Sequence, residues 1–127
     1  MRASTIPVAI TLWLAAPPAV PFDQDEFCMA VTAIAHRLDA RKGSWLDRST
    51  RHDGVAVDCE SKTVEIRRFI DVDPEAMWQG WEARKKRQWS AAYCSDESWR
   101  VAIANGWSIL SMLTFRTGEQ ATFVATC

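Results

Sequence analysis

Beyond residue 22 the chain alternates between two hydrophobic periods. Phe27, Val31, Ile34 and Leu38 recur at three- and four-residue spacing, the mark of a helix with one buried stripe. Asp23-Gln24-Asp25-Glu26 in front of them has the form of a capping box, and Phe22 and Phe27 stand at the two positions of a hydrophobic staple. Arg41 and Lys42 suit the negative end of a helix dipole, and Gly43 suits the residue after its end. A helix over about 24–42 follows, with Cys28 beside the apolar stripe. Residues 44–53 read as a polar connection anchored by Trp45 and Leu46. The period then falls to two. Val55, Val57 and Cys59 alternate with Ala56 and Asp58, and after a turn at 60–62, Val64, Ile66, Arg68 and Ile70 alternate with Glu65, Arg67 and Phe69. These predict a hairpin. Arg68 is the odd member of the inward-facing set, expected at a sheet end or beside an acid.

Helical spacing returns after Asp73-Pro74-Glu75, which supplies an N-cap, a proline at the first helical position and an acid in the first turn. The predicted helix runs to about Tyr93, with Trp78, Trp81, Trp89 and Tyr93 broadly on one side and Lys85 among them. Ser95 is expected to cap a short third helix carrying Trp99 and Ile103 inward and closing at Asn105-Gly106. Residues 107–115 and 120–127 form two further strands around Thr117-Gly118. The order α-β-β-α-α-β-β predicts one small α+β domain over 22–127, a four-stranded antiparallel sheet with helices packed on one face.

Residues 1–20 stand apart. Arg2 is their one charge, an apolar run follows from Ile6 to about Ala16, and small residues and prolines close it. That order is the order of a secretory signal peptide. The apolar run is shorter than the roughly 20 residues a membrane span requires, so no transmembrane anchor is expected after cleavage. No cysteine directly follows the run, which argues against a lipid anchor. Export gives meaning to Cys28, Cys59, Cys94 and Cys127: an even count in a small exported chain reads as two disulfides. Zinc motifs pair their ligands two to four residues apart, whereas each cysteine here is over thirty residues from the next. No metal site or cofactor is expected. With Cys28 and Cys94 both assigned to helices and Cys59 and Cys127 both to strand ends, the expected bridges are Cys28–Cys94 and Cys59–Cys127.

Residues 93–127 combine Tyr93-Cys94, a short helix bearing Arg100, Gly106-Trp107, an apolar strand, a Thr117-Gly118 turn and a last strand. This stretch resembles small exported proteobacterial proteins such as the quorum-sensing-regulated virulence-factor family. The resemblance covers about thirty-five residues. It implies a compact α/β fold and an envelope or secreted location, and carries no catalytic residue with it.

The formal net charge is −1, and becomes −2 if Arg2 leaves with the signal. Such a balance gives no whole-chain attraction to nucleic acid. The candidate contact surface is the tryptophan set, where Trp78 or Trp81 could be exposed, together with the basic run Arg84, Lys85, Lys86 and Arg87. For catalysis the inventory is thin. His52 lies next to Asp53 with Ser49 and Ser44 nearby, His36 sits on the first helix, and no nucleophile elbow, P-loop, EF-hand loop or dinucleotide fingerprint is present. No catalytic residue is assigned. The leading expectation is a periplasmic or secreted binding protein acting by contact with another envelope protein, as accessory, inhibitor or immunity factor. A small hydrolase using His36 or His52, and a structural envelope component, are the alternatives.

Overall fold

The computed structural model describes residues 21–127. The signal peptide expected over 1–20 lies outside them. The elements run α1 (Gln24–Asp39), β1 (Thr50–Asp58), β2 (Thr63–Ile70), a 3-10 turn (Pro74–Ala76), α2 (Trp81–Cys94), α3 (Glu97–Ala104), β3 (Ser108–Phe115) and β4 (Gln120–Val124). The domain is α+β, with the four strands in one sheet ordered β1-β2-β3-β4.

Each hairpin is antiparallel, but the central pair, β2 with β3, is parallel, so the sheet is mixed rather than wholly antiparallel. The reason is the connection. Residues 71–107 pass through α2 and α3 and bring the chain back to the end of the sheet where β2 began. A long helical crossover is what parallel neighbours require.

The two faces of the sheet differ. Ile109, Ser111, Leu113 and Phe115 of β3 are buried beneath the helices, while Leu110, Met112 and Thr114 between them are half-buried on the other side. The covered face holds two apolar clusters. One gathers Val31, Val64, Ala102, Trp107 and Ile109; the other gathers Trp81, Leu113, Phe115 and Phe123. Helix α1 lies along β1 and α2 against β4.

Helix starts follow the local chemistry. Asp23 accepts the Glu26 N–H at 3.0 Å, and the Phe22 and Phe27 rings meet at 5.6 Å. In α3 the cap is Asp96, one residue later than expected, accepting the Trp99 N–H at 3.2 Å. The long helix expected from Asp73 does not form as one piece. Gly80 adopts a left-handed conformation (φ 84°), and α2 starts at Trp81. Strand β1 begins at Thr50, inside the stretch read as a connection. A bulge between His52 and Gly54 resets the side-chain alternation there, so His52 rather than Asp53 turns towards the helices. Gly54 takes φ 117°, and Asp39 at the end of α1 accepts the Val55 N–H at 2.8 Å.

The disulfides are Cys28–Cys59 and Cys94–Cys127, with Cα separations of 5.8 and 5.6 Å. The pairing by element type, Cys28–Cys94 and Cys59–Cys127, is therefore corrected. Each bridge instead joins a helix to a neighbouring strand end, because α1 packs on β1 and the end of α2 meets the end of β4.

Candidate functional site

The residues singled out on α2 divide. Trp81 is 9 % exposed and packs edge-on against Phe115 and Phe123 at 5.4 and 5.9 Å, so it belongs to the core and not to a contact surface. Trp78, before the Gly80 break, is 55 % exposed, and the Arg84 guanidinium lies 5.2 Å from its ring centre. Lys86 and Arg87 are exposed. At 3.6 residues per turn Arg84 and Arg87 stand about 60° apart around the helix, whereas Lys86 points roughly 160° away from Arg84. The structure thus brings Trp78 and Arg84 together, leaves Arg87 on the adjoining turn, and separates Lys86 and Trp81 from them.

The histidines also part. His36 is exposed on α1. His52 is 7 % exposed, with Nε2 3.0 Å from the Leu38 carbonyl oxygen. A carbonyl can only accept, so Nε2 carries the proton and the ring fastens α1 to the bulge of β1. Asp53, its neighbour in sequence, is paired with Arg51 at 2.7 Å on the open face of the sheet. Ser44 donates to the Arg41 carbonyl at 2.7 Å. The hydrolase alternative is not assembled around His52. Among the described residues no three His, Cys, Asp or Glu side chains gather as metal ligands.

Two concavities were not singled out from the sequence. The first is a groove of about 520 Å³ between α1 and α3. Phe27 forms its floor, meeting Trp99 at 5.6 Å and Trp107 at 4.8 Å. Ile34 and Val101, 38 % and 37 % exposed, stand on its two banks. Asp23, Glu26 and Glu97 line it with carboxylates. The sequence signal was present in Ile34, which lies at the margin of the apolar stripe of α1. What hid the groove was the distance of α3, which supplies the other bank.

The second is a cleft of about 590 Å³ on the covered face of the sheet, between α2 and the turn at Leu46-Asp47. Arg68 and Ser111 lie on its floor, and Lys85, Gln88, Trp89 and Tyr93 come to it from α2. Trp89 is held in place by its Nε1–H, which donates to the Ile109 carbonyl at 3.1 Å. The Arg68 guanidinium lies 5.7 Å from the Trp89 ring centre.

The chain matches no protein-family model and no curated relative. Two solved structures share its fold. A secreted-protein candidate from Pseudomonas aeruginosa is 13 % identical, with TM-score 0.62, covering 84 % of this chain and 94 % of that one. The pilotin EpsS of the Vibrio vulnificus type 2 secretion system is 14 % identical, with TM-score 0.57, covering 81 % of this chain and 90 % of that one. At such identities the likeness is one of fold: this chain has the small α+β architecture found in both proteins.

Proposed function

We propose that this is an exported protein that acts by holding another envelope protein, and that the partner sits in the groove between α1 and α3. The observation that carries the reading is the groove itself. It is an apolar trough with exposed aliphatic banks and three carboxylates on its lining, in a domain stiffened by a disulfide on α1 itself. Apolar surface left open in a concavity and rimmed by charge is the form of a recognition site. Its chemistry fits a segment with an apolar face and a basic flank, such as one side of an amphipathic helix. Disulfides suit an oxidising compartment, and 1–20 suits a cleaved export signal. Two fold neighbours named as a secreted-protein candidate and a secretion-system pilotin support the same direction. Among the described residues no helix is long and apolar enough to cross a membrane.

The test is site-specific photo-crosslinking in the source organism, with the crosslinker at Ile34, at Val101, and on the opposite sheet face at Thr122. One adduct of defined mass at Ile34 and Val101, absent at Thr122 and lost in Ile34→Asp, is expected. Equal labelling at all three positions would refute the groove. An adduct abolished instead by neutralising Arg84 and Arg87 would move the site to the Trp78 face of α2.

A further inference from the structure

Arg68 poses a problem that the partner groove does not solve. It lies in the middle of the sheet, opposite His52 of β1 and Leu113 of β3, on the face the helices cover. Its Nε is buried and has no hydrogen-bond partner among the described residues. The three ion pairs of those residues, Arg51–Asp53, Arg67–Glu65 and Arg116–Asp71, leave it out. A buried guanidinium nitrogen without an acceptor is rare in a folded domain and calls for one.

The surroundings say which acceptor would fit. Lys85 brings a second cation to the cleft from α2. Asp47 is the one carboxylate on its lining, and its Oδ1 already accepts the N–H groups of Ser49 and Thr50, each at 2.8 Å. The Ser49 N–H, and to a smaller degree the charge of Lys85, hold Asp47 below the usual carboxylate range, so it stays ionised. The cleft therefore carries two cations and one anion, a surplus of one positive charge. Tyr93 keeps its phenolic proton, because burial pushes its pKa up against the opposing pull of Arg68. Tyr93 and Ser111 place hydroxyls on the lining. The rest of the floor is hydrocarbon, from Ile70, Leu113 and Phe123.

We propose that this cleft is a binding site for a small amphipathic carboxylate, whose carboxylate meets Arg68 and whose apolar body lies on Ile70, Leu113, Phe123 and the Trp89 ring. The guanidinium fork matches a carboxylate geometrically. A surplus of one charge matches a monoanion and not a phosphate dianion. A volume of about 590 Å³ is in the range of small-ligand pockets. The site is separate from the groove of α1 and α3, and neither reading requires the other.

The experiment is titration of the oxidised full-length mature protein with octanoate, octan-1-ol and inorganic phosphate. It is followed by calorimetry and by amide and indole NMR shifts. Octanoate is expected to saturate one site and to shift the Trp89 indole N–H and the amides of Arg68 and Ser111. Octanol and phosphate should each bind at least about tenfold more weakly, since each lacks half of the recognition. Arg68→Met should weaken octanoate by at least about tenfold with the fold and both bridges intact, and Arg67→Met, on the other face of the sheet, should not. Absence of saturation, equal binding of octanol, shifts centred elsewhere, or an Arg68→Met variant that binds like wild type would each overturn the proposal. Equal binding of phosphate would overturn its amphipathic half. If Arg68→Met does not fold, Lys85→Met replaces it: weakened octanoate binding supports the site, and unchanged binding overturns it.

Discussion

Crossed and matched cysteine replacements should give very different proteins. The bridges close loops of nearly equal span, with sequence separations of 31 and 33. In the chain-entropy account each is worth about 3.7 kcal/mol at 25 °C. A matched double variant, Cys28→Ala with Cys59→Ala, removes one bridge and leaves Cys94–Cys127 whole. Its midpoint of thermal unfolding should fall by roughly 15 °C or more, at about 4–8 °C per kcal/mol for a domain of this size. A crossed double variant, Cys28→Ala with Cys94→Ala, orphans both remaining thiols. It forfeits about 7 kcal/mol against a total stability of about 5–15 kcal/mol, so it should be largely unfolded. Thermal and urea unfolding followed by tryptophan fluorescence read the midpoint and the stability, and thiols are counted under denaturing conditions. No free thiol is expected in the matched variant and two in the crossed one. A crossed variant as stable as the matched one, or two free thiols in the matched one, would refute the pairing and with it the packing of α1 on β1.

Three further outcomes follow from the packing. Trp81→Ala should cost about 3–5 kcal/mol in urea unfolding because its ring is enclosed by Phe115 and Phe123, whereas Trp78→Ala should stay within about 0.5 kcal/mol; equal costs would contradict the break at Gly80. Gly54→Ala should destabilise by more than about 1 kcal/mol, since φ 117° disfavours a side chain and the new Cβ would stand 3.1 Å from Asp39 Oδ1; an unchanged midpoint would mean that the bulge is absent. Asp47 and Asp58 are held below the ordinary carboxylate range, led by the N–H groups of Ser49 and Ser61 respectively. A lowered folded pKa contributes stability that is present above the unfolded value and lost as pH falls through the folded one, so carboxyl NMR shifts of both residues should titrate at lower pH in the folded protein than in the urea-unfolded chain, and the reverse order would refute the two turns.

What could be read from the sequence was local. The N-cap at Asp23, the Phe22–Phe27 staple and the alternation from Val64 to Ile70 each involve residues within a few positions of one another, and each formed. What could not be read was relational. Nothing in β2 or β3 alone states whether they run parallel, because that depends on where α2 and α3 return the chain. The disulfides failed for the same reason: pairing by element type ignored that helices here pack on strands. Gly80 shows a subtler limit. A proline, an acid and a run of helix formers all favoured one long helix, but the chain makes only a 3-10 turn at Pro74–Ala76, passes through an extended Met77 and a left-handed Gly80, and restarts at Trp81, leaving Trp78 out and Trp81 in. The histidine beside Asp53 drew attention only while 44–53 was read as a connection: both residues lie in β1, where neighbours point to opposite faces of the sheet, and the bulge turns His52 rather than Asp53 towards the helices.

Arg68 was legible as an anomaly and not as a site. Alternation placed it on the inner face, and a sheet end or an acid was the expected remedy; it lies within the sheet, and no acid reaches it among the described residues. The energetic consequence can be worked in both directions. A buried polar group left without a partner costs about 1–3 kcal/mol, so Arg68→Met, which keeps an unbranched apolar stem and removes the guanidinium and its charge, should raise stability in buffer by about 1 kcal/mol or more. Ligand reverses the order. At a hundredfold excess over its dissociation constant, a carboxylate that binds the folded wild type adds about 2.7 kcal/mol to it, and adds far less to Arg68→Met. Thermal unfolding with and without octanoate should therefore show the two midpoints crossing. A residue retained for packing would give parallel curves, with Arg68→Met below wild type in both. Crossing curves are what distinguish a cation kept at a cost to stability because a ligand completes it.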